Sequence, residues 1–138
     1  GRGVNYNLIN SYIEKNKLKK IIKIKDFTKN PFPYIKQADV FILSSRFEGL
    51  PNVLLEAITL KKFVISTQCQ TGPKEILLNG KGGLLSKVGD HKDLSKKILF
   101  YSRNKNLCKK MLYKSIKALD RFDNKTNLKK YFELVNSI

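Results

Sequence analysis

Ala38-Asp39-Val40-Phe41-Ile42-Leu43-Ser44-Ser45-Arg46-Phe47-Glu48-Gly49-Leu50-Pro51-Asn52-Val53-Leu54-Leu55-Glu56-Ala57-Ile58 (residues 38–58) changes its hydrophobic period once. After Asp39 the run to Leu43 is continuously apolar, the pattern of a strand buried on both faces. From Pro51 onward Val53, Leu54, Ala57 and Ile58 share one face of a helix. Pro51 is expected at the first helical position, where a missing N–H costs nothing. A buried strand, a polar loop and an amphipathic helix in this order form the repeating unit of a parallel α/β sheet.

The flanking sequence repeats the alternation. Upstream, residues 5–17 place Leu8, Ile9, Tyr12 and Ile13 on one helical face. Residues 21–25 alternate apolar and basic side chains, as a half-buried strand does, and a Pro-containing break at 28–33 precedes a short helix at 34–37. Downstream, residues 63–67 read as a second buried strand, 73–78 as a short helix, and 83–86 as a strand after the Gly80-Lys81-Gly82-Gly83 turn. Residues 90–138 read as two or three basic helices with breaks near 104–106 and 123–124. The fold class predicted is α/β: a Rossmann-like parallel sheet with helices on both faces, ending in basic helices. In such sheets the ligand crevice lies outside the carboxyl ends of the strands.

The chain of 138 residues, 41% of them apolar, suits a single α/β domain. Its longest apolar runs fall far short of the ~20 residues that span a bilayer. No export signal opens the chain, and residue 1 is not expected to be the natural start, so a soluble or peripheral protein is predicted. Cys69 and Cys108 have no further partners at zinc or redox spacing, which favours a reduced, cytoplasmic setting and predicts no metal site. Lys and Arg outnumber Asp and Glu by 28 to 11, a formal charge of +17 that attracts polyanions. The cations are nearly all Lys mixed with Asn and Ile, which a compositionally biased, solvated surface explains equally well.

Residues 44–56 carry the chemistry. They leave the C-terminal end of a buried strand, Gly49 permits a close backbone approach or a positive φ, and the adjoining helix start favours an anion such as phosphate. Asn52 and Glu56 are four apart and share a face opposite the apolar stripe, so Glu56 is expected to look into the crevice. A carboxylate there accepts two hydroxyl hydrogen bonds from a vicinal diol such as a ribose, and Glu48 can do the same for a second polyhydroxylated ring. Taken alone, such a pair reads more simply as a helix-start acid and a solvated surface residue. Arg46 either neutralises phosphate or solvates the loop, and Glu75 is either a helix-start acid or a ligand contact. His91 reads as an exposed first-turn residue behind the helix cap Asp90, outside the site.

The segment Phe47-Glu48-Gly49-Leu50-Pro51-Asn52-Val53-Leu54-Leu55-Glu56-Ala57 resembles the family 4 retaining glycosyltransferases of GT-B fold, whose second domain carries a Glu-x7-Glu motif in this setting; Glu48 and Glu56 match its two acids. Pro33-Tyr34-Ile35 and Gln37-Ala38-Asp39-Val40-Phe41 are similar to the strand entry before the motif. Gly72-Pro73-Lys74-Glu75-Ile76, Gly82-Gly83-Leu84-Leu85 and Gly89-Asp90 are similar to the family's sequence downstream of it. Gly1-Arg2-Gly3 looks like the end of the Gly-x-Gly turn near the donor phosphates. The likeness covers most of residues 1–100.

That resemblance implies a nucleotide-sugar-binding domain over residues 1–138, without its first strand, without the Arg and Lys that succeed that strand, and without the N-terminal acceptor domain. It implies that Glu48 holds hydroxyls of the transferred sugar near the reacting carbon and that Glu56 binds the nucleoside ribose. Gly49, Leu50 and Asn52 would present backbone N–H groups to the diphosphate, with Arg46, Gly72, Glu75 and Gly3 as further donor contacts. Transfer would keep the anomeric configuration and require no metal or other cofactor, the nucleotide diphosphate sugar being the donor substrate. A glycan or lipid-linked acceptor would enter through the missing domain, so residues 1–138 alone are expected not to turn over efficiently.

Two further expectations concern the rest of the chain. The family has Gly at the end of the helix after the motif, and Lys61 here is predicted to take the left-handed cap conformation at a cost of about 1 kcal/mol. The basic C-terminal helices, bearing Tyr101, Tyr113, Phe122, Tyr131 and Phe132 as expected core residues, could meet anionic lipid at the inner face of a membrane. A nucleic-acid-binding module is the rival class and a non-catalytic relic of the fold a third; nucleic acid is the less expected partner.

Overall fold

The computed structural model describes residues 3–136. They form two compact units divided between Phe32 and Pro33.

In the first unit, helix α1 (Tyr6–Lys15) is the predicted amphipathic helix. It ends on a Schellman cap: Lys17 takes a φ of 55°, its N–H donates to Glu14 O at 3.0 Å, and Leu18 N–H reaches back to Ile13 O at 2.8 Å. Of the predicted apolar face only Ile13 is buried, while Leu8, Ile9 and Tyr12 stay exposed. The expected strand at 21–25 does not form. Ile21 and Ile22 close a turn on Leu18 O, and the residues after them pair with no strand among the described residues, so alternation alone does not make a ladder. A unit of some 30 residues also has too little interior to cover a whole helix face.

The second unit is a parallel three-stranded sheet of order β1 (Val40–Leu43), β2 (Phe63–Thr67), β3 (Leu84–Ser86). In register, Val40 lies beside Phe63 and Ile65 beside Leu84. β2 is buried at all five positions and alternates its side chains between two cores. Val64 packs with Ile35 of α2 (Phe32–Gln37), with Leu54, Ala57 and Ile58 of α3 (Asn52–Thr59), and with Ile76 of α4 (Pro73–Ile76). On the other face Phe63 and Ile65 pack with Cys108 of α6 (Lys105–Lys117), against Leu94 and Tyr101 of α5 (His91–Arg103). Helices therefore cover both faces of the sheet, as the Rossmann-like reading requires.

β1 departs from its predicted burial. It pairs with β2 along one edge only among the described residues, and Ile42 is 37% exposed. β2, flanked by a strand on each side, is the one buried throughout. Pro51 is the N-cap of α3 rather than its first residue, with φ −73° and ψ 98°; it loses no helical hydrogen bond in either place. Lys61 takes the predicted left-handed conformation, φ 57°, and closes a Schellman cap with Lys61 N–H on Ile58 O and Lys62 N–H on Ala57 O. The helix expected to reach residue 78 stops at Ile76. Leu78 and Asn79 both have positive φ and fold into a 3₁₀ turn (Leu78–Gly80).

The two glycines after that turn are there for packing. A Cβ at Gly82 would overlap Ser115 Oγ, which donates to the Gly82 carbonyl at 3.0 Å, and one at Gly83 would lie 2.8 Å from Val64 O. After a second 3₁₀ turn (Leu119–Phe122), the last helix is α7 (Asn124–Val135), capped by Asp123. The C-terminal aromatics divide. Tyr101 stacks on Phe63 with ring centroids 5.2 Å apart and Phe122 joins the first core, whereas Tyr113, Tyr131 and Phe132 are exposed rather than core residues. Among the described residues no helix is long and apolar enough to cross a membrane.

Candidate functional site

Residues 44–51 leave the C-terminal end of β1 and are held from one side by the chain that leaves β2. Thr67 Oγ1 donates to Ser45 O at 2.6 Å, Cys69 Sγ approaches the same carbonyl at 3.4 Å, and Thr71 Oγ1 donates to Glu48 O at 2.7 Å. Alternation along the strand end points Thr67 and Cys69 the same way, and the bend at 70–72 brings Thr71 to the same loop. Ser45 Oγ donates to Glu48 Oε1 at 2.6 Å. The half-buried Glu48 thus has both its backbone and one carboxylate oxygen anchored, while Oε2 is not engaged in that bond. Its neighbour Phe47 is 89% exposed.

Gly72 fixes the other side. Its φ is +76°, and a Cβ there would overlap the Gly49 carbonyl oxygen and come within 2.7 Å of Pro51 Cδ. Gly49 itself is not in the positive-φ region and has open space where a Cβ would point, so no contact among the described residues requires glycine at 49. Glu48, Gly49, Leu50, Asn52 and Gly72 are brought together at this turn. No side chain caps α3; Leu54 N–H donates to Pro51 O at 2.9 Å, which leaves the Asn52 and Val53 N–H groups available to an anion. Asn52 is exposed and Glu56, one turn on, is half-buried, while Leu54, Ala57 and Ile58 face the core. The predicted division of that helix into a polar and an apolar face holds.

Arg46 and Glu75 line recesses that Glu48, Gly49, Leu50 and Asn52 do not line. Arg46 lines a recess of 230 Å³ between the ends of the strands and the start of α5, together with Ser44, Thr67, Lys87 and His91. Glu75 is exposed and lines a separate, larger recess with Lys74, Lys81 and Arg121; Arg121 donates to the Glu75 carbonyl, not to its carboxylate. Gly3 lies in the first unit, where its carbonyl accepts the Tyr6 N–H, and Gly1 and Arg2 lie outside the described residues. Among the described residues no group of three or more His, Cys, Asp or Glu is placed to hold a metal ion. Both cysteines are buried free thiols, and burial pushes the Cys108 thiol up, which keeps it protonated and unreactive.

The start of α5 borders the Arg46 recess and is clamped by two side chains. Asp90 accepts the Asp93 N–H at 2.9 Å, and Asp93 accepts the Lys87 N–H at 2.9 Å. The Asp93 N–H bond holds the Asp90 carboxyl below its ordinary range. A depressed folded-state pKa means that the cap stabilises fully above the unfolded value and is lost as pH falls through the folded one. Asp90→Ala is therefore expected to lower the urea midpoint at neutral pH, with the gap to the parent closing below about pH 4. A gap independent of pH would assign the loss to packing instead.

Sequence reading misses Ser45, Thr67, Cys69 and Thr71, the residues that hold the loop. The available signal is the alternation of small hydrogen-bonding side chains, Thr67-x-Cys69-x-Thr71, beyond a strand with no exposed face.

The family model for glycosyl transferases group 1 matches residues 1–118. The chain belongs to this family. Among relatives of this group 1 chain, an uncharacterized glycosyltransferase of Methanocaldococcus jannaschii is 43% identical over 77 residues, covering 56% of the chain and 19% of the relative. The poly(ribitol-phosphate) alpha-N-acetylglucosaminyltransferase of Staphylococcus aureus is 24% identical over 138 residues, covering 99% of the chain and 28% of the relative. The group 1 chain spans between 19% and 28% of the length of the first curated relatives it matches. In fold it is similar to HepE of Anabaena in complex with UDP, with a TM-score of 0.84, 19% identity, and coverage of 96% of this chain and 36% of that one.

Proposed function

We propose that the chain is the donor-binding part of a retaining glycosyltransferase. The whole protein moves a hexosyl or N-acetylhexosaminyl group from a nucleotide diphosphate sugar to a glycan or lipid-linked acceptor, in the synthesis of cell-surface polysaccharide, lipopolysaccharide or glycolipid. The observation that carries this reading is the anchored turn at 45–52: a half-buried carboxylate held by Ser45, an open glycine, and an uncapped helix start meet at the carboxyl end of a parallel strand. The names of relatives support it, among them an N-acetylglucosaminyltransferase of Staphylococcus aureus and an N-acetylgalactosaminyltransferase of Campylobacter jejuni acting on a diphospho-undecaprenol-linked sugar.

In this reading the Asn52 N–H at the start of α3 and the backbone at Gly49 and Leu50 receive the diphosphate. Fixed dipoles there stabilise the charge that builds on the leaving group without needing to reorganise. Glu48 accepts hydroxyls of the transferred sugar beside the reacting carbon, Glu56 accepts the ribose hydroxyls, and Arg46 supplies a cation at the edge. No metal is assigned a role. The protein works in the cytoplasm, at the inner face of the membrane where a lipid-linked acceptor is presented.

Thermal unfolding of the chain with UDP, GDP and ADP sugars tests the reading. A donor at 100 times its dissociation constant adds about 2.7 kcal/mol, a rise in Tm on the order of 10 °C for a chain of this size. One nucleotide class should produce the rise and Glu56→Ala should reduce it. No shift with any nucleotide sugar, together with salt-sensitive binding to random DNA, would replace the reading with that of a nucleic-acid-binding module.

A further inference from the structure

A second surface lies at the other end of the strands. Asp39 precedes β1, Phe63 opens β2, and between them and helices α5 and α6 runs a groove of 970 Å³. Strands of four to five residues at about 3.3 Å each put it on the order of 15 Å from the Glu48 turn. Its walls are apolar and aromatic: Phe63 stacked on Tyr101, with Leu112, Ile116 and the 57% exposed Tyr113. Its rim is cationic, with Lys61, Lys105, Lys109, Lys110 and Lys114, all exposed.

Helical spacing explains the rim. Lys105 and Lys109, and Lys110 and Lys114, are four apart and stand on the outward side of α6, while Cys108 and Ser115 take the buried side. α6 contains no acidic residue. None of the five rim lysines is among the ion pairs of the described residues, and Asp39 is the one carboxylate lining the groove. Tyr101 spends its hydroxyl on the Asp39 carbonyl at 2.8 Å, so the aromatic wall is fixed in place. Five like charges gathered around an apolar floor, none in a salt bridge, are unfavourable in isolation and complementary to a ligand that is anionic at one end and apolar at the other.

We propose that this groove docks the chain on an anionic phospholipid surface, with phosphate headgroups at the Lys105–Lys114 rim and the glycerol and upper acyl region against Tyr113 and the apolar floor. Long lysine stems suit this role because they lie along apolar surface while their ammonium groups reach phosphate. Duplex nucleic acid would use the cations and leave the apolar floor unused, which makes lipid the better match. The inference deepens the membrane placement proposed above and is independent of the donor site, since the two surfaces lie at opposite ends of the sheet.

The test is co-sedimentation of the chain with vesicles of phosphatidylcholine containing about 30% phosphatidylglycerol, against phosphatidylcholine alone. Binding only to the anionic vesicles is expected. The triple variant Lys109→Gln, Lys110→Gln, Lys114→Gln should weaken it by about 10-fold or more, whereas Lys20→Gln, Lys23→Gln, Lys29→Gln, which removes as many charges from the first unit, should weaken it less than about 3-fold. Tyr113→Ser should weaken it further at salt high enough to screen the rim. Should the triple variant fail to fold, as circular dichroism would reveal, the single variants Lys109→Gln and Lys110→Gln carry the comparison. Equal loss in the two triple variants would overturn the proposal in favour of diffuse charge. So would competition by millimolar inorganic phosphate alone, or tighter binding to duplex DNA than to vesicles that the groove variant abolishes.

Discussion

Glu48→Gln in the whole protein is expected to lower sugar transfer by about 10²–10³-fold while changing affinity for the free nucleoside diphosphate by less than about 3-fold. The substitution isolates charge from architecture. A Gln side chain keeps an oxygen that can accept from Ser45 Oγ, and Glu48 O still accepts from Thr71, so the turn keeps its anchors. The negative charge proposed to face the sugar as the bond to the leaving group lengthens is lost. Because Glu48 is assigned to the sugar and not to the diphosphate, kcat should fall and nucleotide binding should survive. Steady-state transfer assays paired with calorimetry of nucleotide binding separate these quantities. Unchanged transfer would leave the chain as a non-catalytic relic of its fold.

Gly72→Ala is expected to destabilise the chain by about 3 kcal/mol, read as a lower urea midpoint at constant slope. Two costs combine. A left-handed φ of +76° costs an alanine roughly 1–2 kcal/mol, and forcing a methyl group into packed backbone costs about 1–3 kcal/mol more. The obstruction is the Gly49 carbonyl, which cannot swing aside as a flexible side chain would, and the ring of Pro51 closes the remaining space. Any relief must come from displacing residues 49–51, so the variant should also lose its thermal response to the nucleotide sugar. Stability within about 0.5 kcal/mol of the parent, with the ligand response intact, would mean that the turn is looser than its contacts imply.

These two residues show how differently parts of the site are legible. Glu48 stands in a run whose period, glycine and proline placement identify a strand-loop-helix connection, so its position at the carboxyl end of β1 comes from local pattern. The role of Gly72 does not. Family resemblance makes it a ligand contact, yet its space is filled by the carbonyl of a residue 23 positions before it, and nothing in the sequence around 72 encodes that approach. The same holds for Thr67, Cys69 and Thr71, whose partners Ser45 and Glu48 lie more than 20 residues away.

The limits of periodicity appear in the first unit and in β1. Leu8, Ile9 and Tyr12 form a helix face by spacing, but burial requires something to bury against, and within that unit only Ile13 finds it. Residues 21–25 alternate as a strand should, yet a ladder is a property of two strands and no partner strand pairs with them among the described residues. β1 is apolar throughout whereas β2 ends in Ser66 and Thr67, yet the pairing order makes β2 central and β1 an edge among the described residues. Lys61 is the opposite case: its left-handed cap is foreseen from the glycine that the resembling family has at this helix end, and a helix cap depends only on residues next to it in the chain.

Sequence alone therefore determined the order of elements in the second unit, the α/β class, the position of the acidic turn, and the capping of a helix by Asp90, because each depends on residues within about one turn of one another. Tertiary structure decided which strand is central, that Gly72 supports the turn by packing, that Arg46 and Glu75 line different recesses, and that the lysines of α6 gather around an aromatic groove with Lys61. Those outcomes depend on excluded volume and on pairing between residues far apart in the chain, which appear only when the segments are brought together.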